Sequence, residues 1–176
     1  VMNELTPLKL ENAKFVTVIT PLAEAQWGPL GIDHVRFEAT TNKGMKHGPI
    51  DRIASGGELA RFLLALKVAL EDNDAGRTLI FDEVDSGVGG AVAAAVGERL
   101  LRLGNGLQTL VVTHSPQVAA KGLHHIRITK TTSDSGVISC TEPLGAAART
   151  EEIARMLAGE KITPEARAAA VALMET

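Results

Sequence analysis

The pattern of apolar and polar positions changes period several times along the chain, and each change marks an element. The opening residues, Val1 to Asn12, carry little pattern. Lys14 to Thr20 is rich in β-branched residues and predicts a strand. A loop with Pro21, Gly28, Pro29 and Gly31 follows. Val35 to Thr40 alternates apolar and polar and predicts a half-buried strand; Thr41 to Pro49 is a loop. From Gly56 to Glu71 the period turns helical, with Leu59, Phe62, Leu63, Leu66 and Leu70 on one stripe. Thr78-Leu79-Ile80-Phe81 is a short apolar run that predicts a strand buried on both faces, and it leads directly into Asp82, Glu83 and Asp85. Gly87, Gly89 and Gly90 lead into a second helix, Ala91 to Leu103. Thr109 to Thr113 is another buried strand, ending at His114, and Ser115-Pro116 predicts an N-cap and first helical residue. His124 to Lys130 and Gly136 to Thr141 read as a hairpin about a turn from Thr131 to Ser135. Two helices close the chain. One starts at Thr150, with Glu151 and Glu152 in its first turn; the other starts at Thr163-Pro164-Glu165. The succession helix, strand, helix, strand, helix predicts an α/β fold, a mostly parallel sheet flanked by helices, with a short antiparallel portion.

Composition narrows what such a chain does. Its 176 residues suit one domain spanning 1–176 with a sizeable core. A net charge of -3 gives no support to a strongly basic surface coating nucleic acid. Aromatic residues at 3%, with no Tyr, argue against a base-stacking platform for single strands. The single cysteine, Cys140, excludes an internal disulfide and fits a reducing compartment. No apolar run is long enough to span a bilayer, so no membrane role is expected. Val1-Met2-Asn3-Glu4 lacks the basic and apolar regions of a signal peptide, and a start at Val1 looks like a cut from something longer.

The chemistry concentrates in three places. Carboxylates are costly to bury without partners, so Asp82 and Glu83 belong where their strand leaves the core, and the carboxyl ends of strands are where open α/β sheets bind ligands. Asp82 reads as a magnesium ligand beside a general base, Glu83; a solvated acidic turn explains the same residues equally well. Ser55-Gly56-Gly57-Glu58 opens the first long helix. As Ser-x-x-Glu it is a capping box. Yet two glycines in a first turn cost about 1 kcal/mol each relative to alanine. They leave bare N–H groups suited to a phosphate. Glu58 is awkward for a phosphate site and is expected to fold back on the cap. His114 ends its strand where an ordinary polar residue would also fit. If the two apolar strands are parallel neighbours, Asp82, Glu83 and His114 converge on one ligand. Asp82, Asp85 and His114 have no recognised zinc spacing, and without a Gly-x-Ser-x-Gly elbow Ser86 is a weak candidate for a hydrolase nucleophile.

The order of these pieces resembles the second half of an ABC-type ATPase head: signature motif, Walker B strand, D-loop and switch histidine. More narrowly, Ile53-Ala54-Ser55-Gly56-Gly57-Glu58-Leu59, Phe81-Asp82-Glu83-Val84-Asp85-Ser86-Gly87-Val88, Thr113-His114-Ser115-Pro116-Gln117-Val118-Ala119-Ala120 and Glu152-Ile153-Ala154-Arg155-Met156-Leu157 resemble the C-terminal region of the RecN family, bacterial SMC-like proteins of DNA double-strand break repair and recombination. The likeness covers nearly the whole chain, including the loop with Asn42 and Gly44. Ser86 and Ser115 stand where Thr and a more apolar residue are expected; neither departure removes a reacting group.

The resemblance implies the C-terminal lobe of an ABC/SMC-type P-loop NTPase head. The Gly-x-x-x-x-Gly-Lys-Ser/Thr cradle is absent from this sequence, so an N-terminal P-loop lobe is the implied partner for ATP and Mg2+. The isolated chain is expected to be inactive as an ATPase. Asp82 is implied as the magnesium ligand, Glu83 as the group that polarises the attacking water, and His114 as a contact to the γ-phosphate. Ser55, Gly56, Gly57 and Glu58, with Asp85, are implied to face the ATP of a second head in an ATP-dependent dimer. DNA would be engaged through the complete protein, in the cytoplasm and on the nucleoid. A stand-alone metal-dependent hydrolase using Asp82, Glu83, Asp85 and His114, and a non-catalytic assembly module, are the alternatives.

Overall fold

A computed structural model describes residues 1–41, 44, 46–50, 56–70, 77–133, 136–159 and 161–175. The chain divides into two compact units, Val1–Asp72 and Asn73–Thr176.

In the first unit, a short helix α1 (Met2–Leu5) and a 3-10 turn (Thr6–Leu8) precede strands β1 (Lys14–Pro21), β2 (Asp33–Thr40) and β3 (Gly48–Pro49), and helix α2 (Gly56–Ala69) follows. The three strands form one sheet in the order β1-β2-β3. β1 and β2 pair antiparallel from Lys14 with Thr40 to Pro21 with Asp33. Gly48 and Pro49, expected in a loop, pair with Ala39 and Glu38. Phe62 of α2 is fully buried. Its ring lies 5.8 Å from that of Phe15 on β1, which in turn lies 5.2 Å from Phe37 on β2. This aromatic run joins the helix to the sheet.

Two expectations need correction here. β2 is not half-buried along its length: only Ala39 and Thr40 are buried, while Val35 and Phe37 are 54% and 45% exposed. Alternation in sequence identifies a strand, but burial needs a second layer over that face. On α2 the buried positions are Arg61, Phe62, Leu64, Ala65 and Val68, whereas Leu63 and Leu70 of the expected stripe are exposed. The helix has apolar residues on most of its circumference, so periodicity alone does not select the inward face.

The second unit holds β4 (Thr78–Asp82), α3 (Gly90–Gly104), β5 (Gln108–Val112), α4 (Pro116–Ala119), β6 (Ile126–Ser133), β7 (Gly136–Pro143), α5 (Ala146–Ala158) and α6 (Pro164–Glu175). β4 and β5 are parallel, with α3 as the crossover, and β6 and β7 form the expected hairpin. β6 begins at Ile126, after the expected His124, and runs on to Ser133, while β7 continues past Thr141 to Pro143. α3 buries Ala93, Ala95, Val96, Gly97, Leu100 and Leu103. Gly97 is where α4 comes close: a Cβ there would stand 3.1 Å from the Gln117 carbonyl oxygen and 3.3 Å from the Val118 Cα. α4, α5 and α6 bury Ala120, Ile153, Ala154, Ala166 and Ala170 together. Thr163 opens α6 as expected, its hydroxyl accepting from the Ala166 N–H at 3.2 Å.

The strands β4 and β5 are not buried on both faces. Ile80, Leu110 and Val112 are 70%, 47% and 50% exposed. Ile80 pairs with Leu110 and Asp82 with Val112, so these residues share one open face of the parallel pair. The apolar run identifies the strands correctly, and among the described residues the covering layer lies on one side only.

α5 begins at Ala146, before the expected Thr150, because Ala146-Ala147-Ala148 are strong helix formers that the apolar stripe does not mark. Glu151 and Glu152 therefore act as ion-pair partners and not as first-turn acids. Glu151 accepts two hydrogen bonds from Arg167 of α6, at 2.6 and 3.1 Å. The buried Glu152 accepts from Arg155 at 2.6 and 3.0 Å, with Arg127 of β6 at 3.7 Å. The Arg155 hydrogen bonds hold the Glu152 carboxyl below the usual carboxylate range, against burial, which raises it. Among the described residues no helix is long and apolar enough to cross a membrane.

Phe62→Ala is expected to destabilise the chain by about 3–5 kcal/mol in urea unfolding, the range for emptying a buried aromatic site. Glu152→Gln removes charge-assisted hydrogen bonds and is expected to cost about 1.5–3 kcal/mol at neutral pH. Because the folded-state pKa of Glu152 is depressed, its contribution is complete above the unfolded carboxyl pKa of about 4.3 and is lost as pH falls through the lower folded value. The gap between wild type and Glu152→Gln in urea midpoints should close over that acidic window.

Candidate functional site

The exit of the parallel pair gathers the acidic and imidazole groups. Asp82 is the last residue of β4 and pairs with Val112, the last of β5. The ladder extends one bond further, the Glu83 N–H donating to the Val112 carbonyl at 3.1 Å. The chain then turns, with the Ser86 N–H donating to the Glu83 carbonyl at 2.9 Å. Glu83 takes φ 49, a left-handed conformation that a non-glycine residue adopts at a cost of about 1–2 kcal/mol. Asp82, Glu83 and His114 are all exposed at this edge. The expected convergence of the two strand ends is therefore present, because both strands run the same way in matched register.

Asp85 behaves differently. Expected at an interface with a second head, it is 1% exposed, and its Oδ2 accepts a hydrogen bond from the Thr113 hydroxyl. Its Oδ1 is buried without a hydrogen-bond partner. Thr113 also accepts from the Ser115 N–H at 2.9 Å. Ser115 occupies the expected N-cap position of α4, but its hydroxyl donates to the Gln117 side chain at 2.9 Å and accepts no hydrogen bond from the helix backbone. Thr113 is the residue that sequence reasoning passed over; its signal was modest, a hydroxyl ending an apolar strand directly before His114.

In the other unit, Gly56 and Gly57 open α2 and Glu58 lies in its first turn. Ser55 lies outside the described residues, as does Asn42, so the expected cap cannot be drawn. Among the described residues nothing stands within 4 Å of a Cβ placed on Gly56. One turn on, burial lowers the pKa of the Arg61 guanidinium, and the negative charge of Glu58 opposes that shift. His124 is exposed and His125 half-buried at the entry to β6; burial, then the Arg149 charge, push the His125 imidazole below its ordinary range.

Among the described residues no group of three or more His, Cys, Asp or Glu side chains is placed to hold a metal ion. With Asp85 turned inward, the acidic edge is too sparse for a self-contained metal centre. It does fit magnesium, which commonly takes one or two carboxylates and fills its remaining positions with phosphate oxygens and water.

No family model matches the chain. Curated relatives do. DNA repair protein RecN of Rickettsia bellii is 45% identical over 172 residues, which is 98% of this chain and 31% of the relative. The RecN of Xylella fastidiosa strain Temecula1 is 43% identical over 98% of the chain, again 31% of its own length. That of Streptomyces coelicolor is 43% identical over 85% of the chain. The chain is homologous to RecN. It spans about a third of the length of the RecN proteins it matches. Solved structures share its fold: the Smc head domain with coiled coil and joint from Pyrococcus yayanosii has a TM-score of 0.60 at 19% identity, over 86% of this chain and 27% of that one. The Smc head domain from Pyrococcus furiosus, bound to the C-terminal domain of ScpA, has a TM-score of 0.55 at 20% identity, over 88% of this chain and 36% of that one. Mixed helices and strands with parallel and antiparallel parts thus form an SMC-head type of α/β fold, and the RecN relatives link it to DNA repair proteins.

The left-handed backbone at Glu83 gives a direct test on the chain itself. Glu83→Gly is expected to raise its stability by about 0.5–1 kcal/mol, the relief of strain less the extra freedom of glycine in the unfolded chain. Lower stability in urea unfolding would show that the conformation at Glu83 is not strained.

Proposed function

We propose that this chain is the C-terminal lobe of a RecN-like ATPase head, acting in DNA double-strand break repair and recombination. The observation that carries the reading is the matched exit of β4 and β5, which sets Asp82-Glu83 and His114 at one carboxyl edge. Homology to RecN and the SMC-head fold support it.

In this reading Asp82 holds magnesium, directly or through water, and Glu83 polarises the water that attacks the γ-phosphate. His114 contacts that phosphate or its water. The bound metal would neutralise charge on the phosphates; the protein's part is positioning and charge stabilisation. The phosphate cradle and its lysine come from an N-terminal P-loop lobe. Gly56 and Gly57, with Ser55 before them in sequence, would face the ATP of a second head at the N-terminus of α2, with the charge of Glu58 acting on Arg61. Sharing the donors between two heads makes turnover depend on their association, so ATP joins the heads and hydrolysis releases them. The work of the complete protein on DNA places it in the cytoplasm, on the nucleoid.

The test uses a full-length RecN carrying this segment. Glu83→Gln is expected to reduce ATP turnover by at least about 100-fold, the scale for losing a positioned general base, while ATP-dependent association of heads persists in light scattering or sedimentation. Turnover at the wild-type rate would remove Glu83 from the role of base. ATP hydrolysis by the segment alone, at the rate of the full protein, would overturn the composite site.

A further inference from the structure

We propose that Thr113 and Asp85 form a positioning pair that holds the backbone of His114 in fixed relation to Glu83. The inference rests on the proposed reading of the site and assigns a role to two side chains that would not touch the reacting atoms.

The geometry is specific. Beyond the last ladder bond, Glu83 to Val112, the two strands separate into different loops. Glu83 enters a turn that leads to Gly87, which is left-handed at φ 71; Thr113 leads through His114 to α4. Backbone pairing no longer sets the distance between the loops at this point. The hydrogen bond from the Thr113 hydroxyl to Asp85 Oδ2 replaces it. The same hydroxyl oxygen accepts from the Ser115 N–H at 2.9 Å. Thr113 thus grips its own loop on the far side of His114 while holding the Asp85 loop. His114 lies between the two residues so fixed, Thr113 and Ser115, and Ser115 is itself 7% exposed.

Burial makes the bond selective. Asp85 is 1% exposed beside Val84, also 1% exposed. A carboxylate so placed needs its partners, because leaving a buried polar group unpaired is costly. One of its oxygens already lacks a partner, so the Thr113 hydroxyl is the hydrogen bond that keeps Asp85 inward. Losing it would release the loop that follows Glu83. Displacements of about 1 Å at a reacting group cost about 100-fold in rate, while substrate binding by other groups persists.

The experiment measures steady-state ATP turnover in a full-length RecN carrying this segment. Thr113→Val keeps the shape and removes both hydrogen bonds of the hydroxyl; kcat is expected to fall about 10- to 100-fold with KM within about 2-fold. Thr113→Ser restores the hydroxyl and is expected to stay within about 3-fold of wild type. Asp85→Ala should lower kcat as Thr113→Val does, and the double variant should be no slower than the slower single, since one link is broken in each. Thermal midpoints of the same proteins separate positioning from folding: a kcat that falls only in proportion to the folded fraction overturns the role, as does a wild-type kcat in Thr113→Val or additive losses in the double variant. If Thr113→Val does not fold, Asp85→Ala decides, and its wild-type kcat would overturn the pair. Glu83→Gln is the control. Loss of turnover there with wild-type kcat in Thr113→Val removes the positioning pair alone; wild-type turnover in Glu83→Gln removes the reading of the site and the pair with it.

Discussion

The parallel pairing of β4 with β5 is the constraint on which the site depends. A parallel pair cannot be closed by a tight turn, so the chain must leave β4, cross over as α3 and return. That crossover sets Thr78 and its partner Gln108 thirty positions apart in sequence and then brings their strand ends to one edge. Backbone hydrogen bonds bring the end of one strand, with its acidic pair, beside the end of the other, which leads to the histidine. Register is what makes this dependable, since a slip by one residue would turn each side chain of a strand to the opposite face.

Much of this was legible beforehand. A β-branched run marked β1 and short apolar runs marked β4 and β5, and the carboxylates at the end of one apolar run and the histidine at the end of the other marked the edge where they meet. What stayed hidden depends on layers. Ile80, Leu110 and Phe37 look like core residues in sequence and are exposed in the fold, because hydrophobicity records a preference for burial without naming the covering element. On α2 the inward face was misjudged for the related reason that Leu, Phe and Ala occur all round it. The start of α5 was missed because three alanines form helix well yet carry no stripe.

Side-chain pairing was the least visible level. Glu151 and Glu152 sit where a helix dipole would favour them, and only the fold shows that arginines on α5, α6 and β6 claim them instead. Asp85 looks like a third acidic ligand until its burial and its hydrogen bond from Thr113 are seen. Short-range sequence order says which groups are available; whether a carboxylate points out to a ligand or in to a hydroxyl is decided by residues distant along the chain.

The close approach of α3 and α4 at Gly97 has a mechanical consequence. The loop with His114 is a short span between two abutments: β5, fixed by its ladder, and α4, seated against a glycine with no side chain to yield. A span so anchored has little slack. Its backbone cannot travel far without unseating one abutment, so the freedom left to His114 is that of its side-chain torsions.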